Sequence, residues 1–339
     1  MYRLAVLLVA CGPDKVADTS VPPAADLVLI ADGLPATLVT VWGSSATDVW
    51  VGGAQDASGP LVYHYDGATW TRLDTTGLTW DVWWLWGDGA GTLFMAGSKG
   101  NVARVDIASS TITVDAVGDP AYTMFGTWGT SASDAWAVGG DILGDQPGGI
   151  FHWDGSAWSL SAEASPRTDG TQRDAFKVWG RSASDVFVVG TSALTMHWDG
   201  SAWTDIVSPL DPSITLFTMS GDADGTLAVG GQGNGLAQTV TADSATAASP
   251  DIEQLAAGFL GVYDREGMDP IVSTTNGVFW WYRSDGVWEK DTRTPITSRG
   301  LHAVWVDPDG GVWSVGGDLA VLTYGVIVYA GNDTVPLIE

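Results

Sequence analysis

One pattern returns along the chain. From Val41 it reads VWGSSATDVWVGG, from Thr127 TWGTSASDAWAVGG and from Val178 VWGRSASDVFVVG. Each copy is followed by a segment of one type, LVYHYDGATW from Leu61, IFHWDGSAW from Ile150 or LTMHWDGSAW from Leu194. Weaker copies start at Leu85 (LWGDGAGTLFMAG), Thr218 (TMSGDADGTLAVG), Val262 (VYDREGMDPIVST) and Val304 (VWVDPDGGVWSVG). Repetition of this kind constrains a fold more than composition does. Each copy has to be one supersecondary unit that buries its apolar face only against its neighbours. The anchors align at Trp42, Trp86, Trp128, Trp179, Met219, Tyr263 and Trp305, with spacings of 44, 42, 51, 40, 44 and 42. The long spacing holds an insertion, DILGDQPGG at 141–149, and a longer connection, 161–174.

Every repeat contains four short runs of β character. In the fourth copy they are Ala175–Trp179, Asp185–Val189, Thr195–Trp198 and Ala202–Ile206, separated by Gly, Ser and Asp. Asp199-Gly200 between the last two reads as a two-residue hairpin with positive φ at both positions, and Asp66-Gly67, Asp154-Gly155 and Asp285-Gly286 repeat it. With 44 Gly and 19 Trp and no useful 3.6-residue periodicity, helical solenoids are excluded. The expectation is an all-β chain, a seven-bladed β-propeller of four-stranded antiparallel blades. Two closures fit. The last blade can use Val326–Tyr329 and Val335–Ile338 as its third and fourth strands, or Leu27–Ile30 can supply the fourth from the other end of the chain. The second, a clasp of both termini, is preferred.

Residues 1–11, MYRLAVLLVAC, carry Arg3 and then seven apolar residues, Leu4 to Ala10. That run is too short to span a bilayer but suits an export signal. The chain's one cysteine follows it, and Leu8-Val9-Ala10-Cys11 resembles a bacterial lipobox. That resemblance implies acylation of Cys11, with Gly12 rather than Asp after it implying the outer membrane. Residues 12–25 are small, polar and Pro-containing, as a tether would be, leaving 26–339 for the propeller. A single cysteine also excludes an internal disulfide and a cysteine-based zinc site.

The repeat V-W-G-x-S-x-x-D-V-W-x-V-G followed by H-W-D-G-S-x-W resembles that of cell-surface propeller lipoproteins of myxobacteria and related bacteria. These are similar in outline to kelch and sialidase-type propellers. The resemblance covers roughly 39–339. It implies the fold and surface display, and little about activity, because propellers host many.

The formal charge of −26, from 14 Lys plus Arg against 40 Asp plus Glu, excludes nucleic acid as a partner and leaves the lipid as the only membrane contact. Self-repulsion among the carboxylates should ease with added salt. Trp residues recurring in each blade are expected to pack between blades. Trp80, Trp83, Trp84 and Trp280 fall outside the pattern. His64, His152 and His197 hold equivalent places in diverging blades and cannot share an ion. Asp222-Ala223-Asp224-Gly225 and Asp307-Pro308-Asp309-Gly310 begin like calcium loops but lack the downstream ligands. Asp48, Asp134, Asp185 and Asp269 are expected to bond turn amides. Ser284 to Trp288 resembles part of a sialidase Asp-box, yet no spacing ties Arg167, Arg173, Arg293 and Arg299 into a carboxylate clamp. No catalytic residue, metal site or cofactor is assigned.

Variable loops at 53–60, 80–83, 140–149, 161–174, 206–213, 291–300 and 317–325 should share one face, and variation on a rigid scaffold points to binding. The candidate ligand-binding residues there are Asp56, Trp80, Trp83, Asp141, Asp145, Gln146, Arg167 and Arg173. The leading expectation is a monomeric, lipid-anchored, non-catalytic module for a glycan or a protein at the envelope. An extracellular carbohydrate-active hydrolase or lyase and a structural envelope scaffold are the alternatives.

Overall fold

The computed structural model describes residues 26–338 apart from 224, 232 and 251–256. The expected export signal, Cys11 and the tether lie outside these residues. In the first repeat Leu38–Ser45, Asp48–Asp56, Gly59–Tyr65 and Trp70–Arg72 pair antiparallel in chain order. The fourth repeat forms Ala175–Ser182, Asp185–Gly190, Thr195–Trp198 and Trp203–Asp205, close to the runs read from sequence. Seven such four-stranded sheets are present. Their first strands touch one another in succession, and the seventh touches the first, so the chain is a closed seven-bladed propeller. Among the described residues the only helix is a 3-10 turn, Thr191–Ala193.

The ring closes by the clasp. Val28–Leu34 pairs antiparallel with Thr323–Ala330 as the outer strand of the last blade, from Val28 opposite Tyr329 to Leu34 opposite Gly325. Val335–Ile338 is not a strand. It lies outside this added strand and makes one backbone bond to it, the Ile338 N–H to the Ile30 carbonyl at 3.1 Å. Hydrogen bonds between the first and last strands thus hold the wheel shut, so opening it requires breaking a whole strand pairing.

Seven apolar clusters fill the seven gaps between blades. One joins Trp50 and Val62 to Val82, Leu85 and Met95 of the next blade. Another joins Val41, Val49 and Val51 to Trp305, Trp313 and Val315 across the closure. The V-W-G tripeptide explains itself here. A Cβ on Gly87 would lie 2.4 Å from Trp42 Cη2, one on Gly129 2.9 Å from Trp86 Cη2, one on Gly180 2.8 Å from Trp128 Cη2 and one on Gly43 2.5 Å from Trp305 Cη2. The indoles of Trp42, Trp86 and Trp128 therefore each cover the glycine of the following blade, and Trp305 covers that of the first. Tryptophans of the fourth strands sew the rim instead. Trp158 Nε1 donates to Asp115 (3.3 Å), Trp203 Nε1 to Ser161 (3.1 Å) and Trp288 Nε1 to the Ala248 carbonyl (2.6 Å), each on the preceding blade.

Three expectations are corrected. The fifth anchor is Ser220, not Met219, because Ser220 faces Leu227 as Trp42 faces Trp50. The Asp-Gly turns are longer than two residues. Asp154 N–H bonds the Ala157 carbonyl (3.3 Å), and Gly155 has φ 90° while Asp154 does not enter the positive range. The Asp154 side chain takes Ser156 Oγ and the amides of Ser156 and Ala157, which hold its pKa down to about 2. Finally, the repeated aspartates chiefly bond side chains across the blade. Asp48 accepts from His64 Nε2 (2.8 Å) and Trp50 Nε1 (3.0 Å), and His64 stacks on Trp50 with centroids 4.1 Å apart. Asp134 with His152 (2.7 Å) and Asp185 with His197 (2.8 Å) repeat the staple. The histidines thus brace single blades. Only Asp269 also takes a turn amide, that of Ser284 (3.2 Å).

Candidate binding site at the channel mouth

Every first strand carries a β-bulge at one place. The register slips between Leu38 and Thr40, Val82 and Trp84, Met124 and Gly126, Ala175 and Lys177, Leu216 and Thr218, Phe259 and Gly261, and Leu301 and Ala303. A bulge leaves one residue outside the ladder and re-aims its side chain. The seven extruded residues are Val39, Trp83, Phe125, Phe176, Phe217, Leu260 and His302, and all seven line one cavity of about 320 Å³ at the mouth of the central channel. Ile142 and Leu319, from the second-to-third-strand loops of blades three and seven, complete its wall.

Four of these side chains form a continuous aromatic arc. Trp83 and Phe125 meet edge to face at 5.5 Å, Phe125 stacks flat on Phe176 at 4.3 Å, and Phe176 meets Phe217 edge to face at 6.1 Å. Ser98 accepts the Trp83 indole N–H (3.1 Å) and orients it. Opposite the arc, His302 Nε2 lies 3.4 Å from the Gly317 carbonyl. Burial pushes its imidazole down to about 4, so it is neutral at pH 7. A polar pocket with Arg299, Asp318, Ser298 and Thr275 adjoins this side and shares Leu260, His302 and Leu319 with the mouth.

Lys177 follows the bulged Phe176 and sits under the mouth, lining both it and the channel cavity below. The equivalent residues are Thr40, Gly126, Thr218, Gly261 and Ala303 in five blades and Trp84 in the second. The two long side chains meet over the channel, with Lys177 Nζ over the Trp84 indole. Lys177 is 3% exposed, and its Nζ has no hydrogen-bond partner. Burial drives its pKa well below the ordinary lysine value.

The residues singled out from sequence are dispersed. Trp83 lies in the mouth, and Asp141, Asp145 and Gln146 belong to the loop that sends Ile142 into it. Trp80 is 4% exposed and packs in the core between blades one and two, against Gly97, so its ring is not offered to a ligand. Asp56 is held in a two-pronged pair with Arg72, both contacts 2.8 Å. Arg167 and Arg173 share a separate groove between the connections that enter and leave blade four, where Ser165 and Asp205 tie Arg173 down. Phe125, Phe176, Lys177, Phe217, Leu260 and His302 escaped sequence reasoning. Their signal was present, since the residue three before each structural anchor is apolar in six repeats and His in the seventh.

No family model matches the chain, and no curated protein matches it. Among solved structures it is similar to the extracellular domain of a putative hybrid two-component system from B. thetaiotaomicron, with TM-score 0.64, 12% identity and 91% of this chain covered. The chain spans about 40% of that protein's chain. YCF48 bound to D1 peptide is similar at TM-score 0.63 and 13% identity, covering 93% of this chain and 96% of that one. The RRP9 WD40 repeats match at TM-score 0.68 and 8% identity, over 91% and 98%. These likenesses show a β-propeller fold, with bacterial extracellular and WD40 propellers among its neighbours. Among the described residues no helix is long and apolar enough to cross a membrane.

Proposed function

We propose that this protein is a lipid-anchored, extracytoplasmic, non-catalytic binding module, tethered through Cys11 and residues 12–25, whose partner is a protein seated on the channel-mouth face. The observation that carries the reading is the convergence of one bulge residue from every blade on a single apolar mouth. The loops beside it also expose apolar side chains. Leu143 is 95% exposed next to Ile142, and Val321 and Tyr324 are exposed beyond Leu319. Exposed apolar side chains grouped around a concave apolar site mark interaction surfaces. The net charge of −26 favours a basic partner and speeds its encounter. The fold likeness to a bacterial extracellular domain and to a propeller bound to a peptide is in keeping, by analogy, with display outside the cytoplasm and a protein ligand. A myxobacterial-type surface lipoprotein is the family this reading fits.

A glycan is the second reading. Trp83 favours it, because a half-buried indole held by Ser98 is a platform on which a sugar ring stacks. The test uses the full chain with Cys11→Ser, presented to envelope proteins and to a glycan array, beside Leu143→Asp and Phe176→Ala variants. Capture of one partner that both variants weaken tenfold or more supports the proposal. Capture unaffected by either variant, or none, refutes the site. Metabolic labelling with a radioactive fatty acid tests acylation of Cys11 separately.

A further inference from the structure

Lys177 is out of place in this chain. The protein carries 40 acidic side chains against 14 basic ones, yet the one ordinary charge-bearing side chain lining the mouth or the channel below it is a lysine. Among the described residues no carboxylate lines either cavity, and Lys177 Nζ lacks a hydrogen-bond acceptor, resting on the Trp84 ring alone. A lysine kept out of water without an acidic partner is costly, and buried polar groups elsewhere are almost always satisfied. An exception at the floor of an apolar, aromatic-walled cavity of about 320 Å³ has a ready explanation. The cavity is large enough for a small organic ligand, and its polar partner arrives with that ligand.

We propose that the channel mouth is a binding site for a small amphipathic carboxylate. Its apolar body lies along the arc of Trp83, Phe125, Phe176 and Phe217, and its carboxylate pairs with Lys177 at the floor. The arrangement divides the work as ligand sites do. Stacked and edge-to-face rings supply apolar area, and one charged donor fixes orientation. Thr218, beside Lys177 in the lining, adds a hydroxyl for the same head group. The acidic exterior repels free anions, so selectivity for acids here comes from the pocket, not from the field of the whole protein. This site goes beyond the protein-binding face proposed above and does not depend on it.

The test is isothermal titration calorimetry on the intact chain (Cys11→Ser) with 3-phenylpropionate and decanoate, each beside its neutral amide. The acid is expected to bind at least tenfold more tightly than its amide. In Lys177→Met that preference should fall to about one, with the amide's affinity unchanged. Lys177→Gln replaces it should the methionine variant fail to fold. Phe176→Asp should weaken acid and amide together. Equal binding of acid and amide by the native chain, no binding of either acid, or an acid preference that survives in a folded Lys177 variant would each overturn the proposal. A protein partner captured normally by a chain that binds neither acid would leave the docking reading standing while this one fails.

Discussion

The tryptophan-over-glycine contact between blades makes a demanding prediction at Gly87. Replacement by alanine normally favours folding by about 0.4–1 kcal/mol where the backbone permits it, because the unfolded chain loses freedom. Gly87 ends a strand and does not have positive φ, so the backbone permits it. The new Cβ, however, would stand 2.4, 2.6 and 2.7 Å from Cη2, Cζ3 and Cζ2 of Trp42. Ordinary carbon contacts are about 3.5–4.0 Å, so the indole must retreat by about 1 Å. It is bounded by the core between blades one and two, and overpacking of that kind costs about 1–3 kcal/mol. The clash wins, and Gly87→Ala is expected to be destabilised by about 1–2 kcal/mol net, read from the urea midpoint at unchanged slope. Gly233, with nothing within 4 Å of its added Cβ, is the control and should escape the steric cost as alanine. Trp42→Leu removes the ring that clashes. In that background Gly87→Ala should lose most of its cost, giving a coupling of at least about 1 kcal/mol. A Gly87→Ala protein as stable as the parent, or a cost that persists undiminished alongside Trp42→Leu, would refute the account of the V-W-G motif.

Lys177→Met should stabilise the protein by about 1–3 kcal/mol near pH 7, since an apolar side chain of similar length replaces a buried amine without a partner. The folded pKa of Lys177 lies below its unfolded value, so the parent gains stability as pH rises through that window towards 10.5. The gap between parent and variant should therefore narrow with pH in denaturation titrations. At Asp48 stability also rises with pH, but in the acid range and because the fold favours the charged form. The bond from His64, aided by Ser44 and Trp50, lowers its pKa, so its contribution is present above pH 3.8 and fades as pH falls through the lower folded value. Asp48→Asn should cost about 1 kcal/mol at pH 6 and progressively less as pH falls below 3.8. Deleting residues 26–34 should remove the outer strand of the last blade and lower the thermal midpoint sharply, whereas deleting 335–339 removes one backbone bond to that strand and should cost far less. Added sodium chloride should raise the midpoint of the parent, because 40 carboxylates against 14 cations repel.

Much of this protein was legible before any coordinates, for a physical reason. A propeller blade is a local object, with four short strands joined by tight turns, so its pairing partners are near in sequence. Seven copies of the repeat announced seven blades, and Asp199-Gly200 announced a turn. What failed at this level was fine register. The fifth repeat lacks the tryptophan, and only Gly221, following Ser220 as Gly43 follows Trp42, pointed to Ser220 over Met219 as the anchor. The four-residue turn likewise needed the Ser156 and Ala157 amides folded back on Asp154 to be seen.

The functional geometry is of another kind. Phe125 and Phe176 are 51 residues apart, and Val39 and His302 are 263 apart, yet ring closure puts all four round one opening. Within any single repeat the bulge residue is one more apolar position in a strand. Only the closed wheel turns seven of them inward together, and only there does Lys177 of blade four find Trp84 of blade two in place of an acid. Sequence therefore determined the blade and how often it recurs, because those depend on neighbours along the chain. Tertiary structure decided the mouth, its aromatic arc and its solitary amine, because those depend on which blades face each other across the axis.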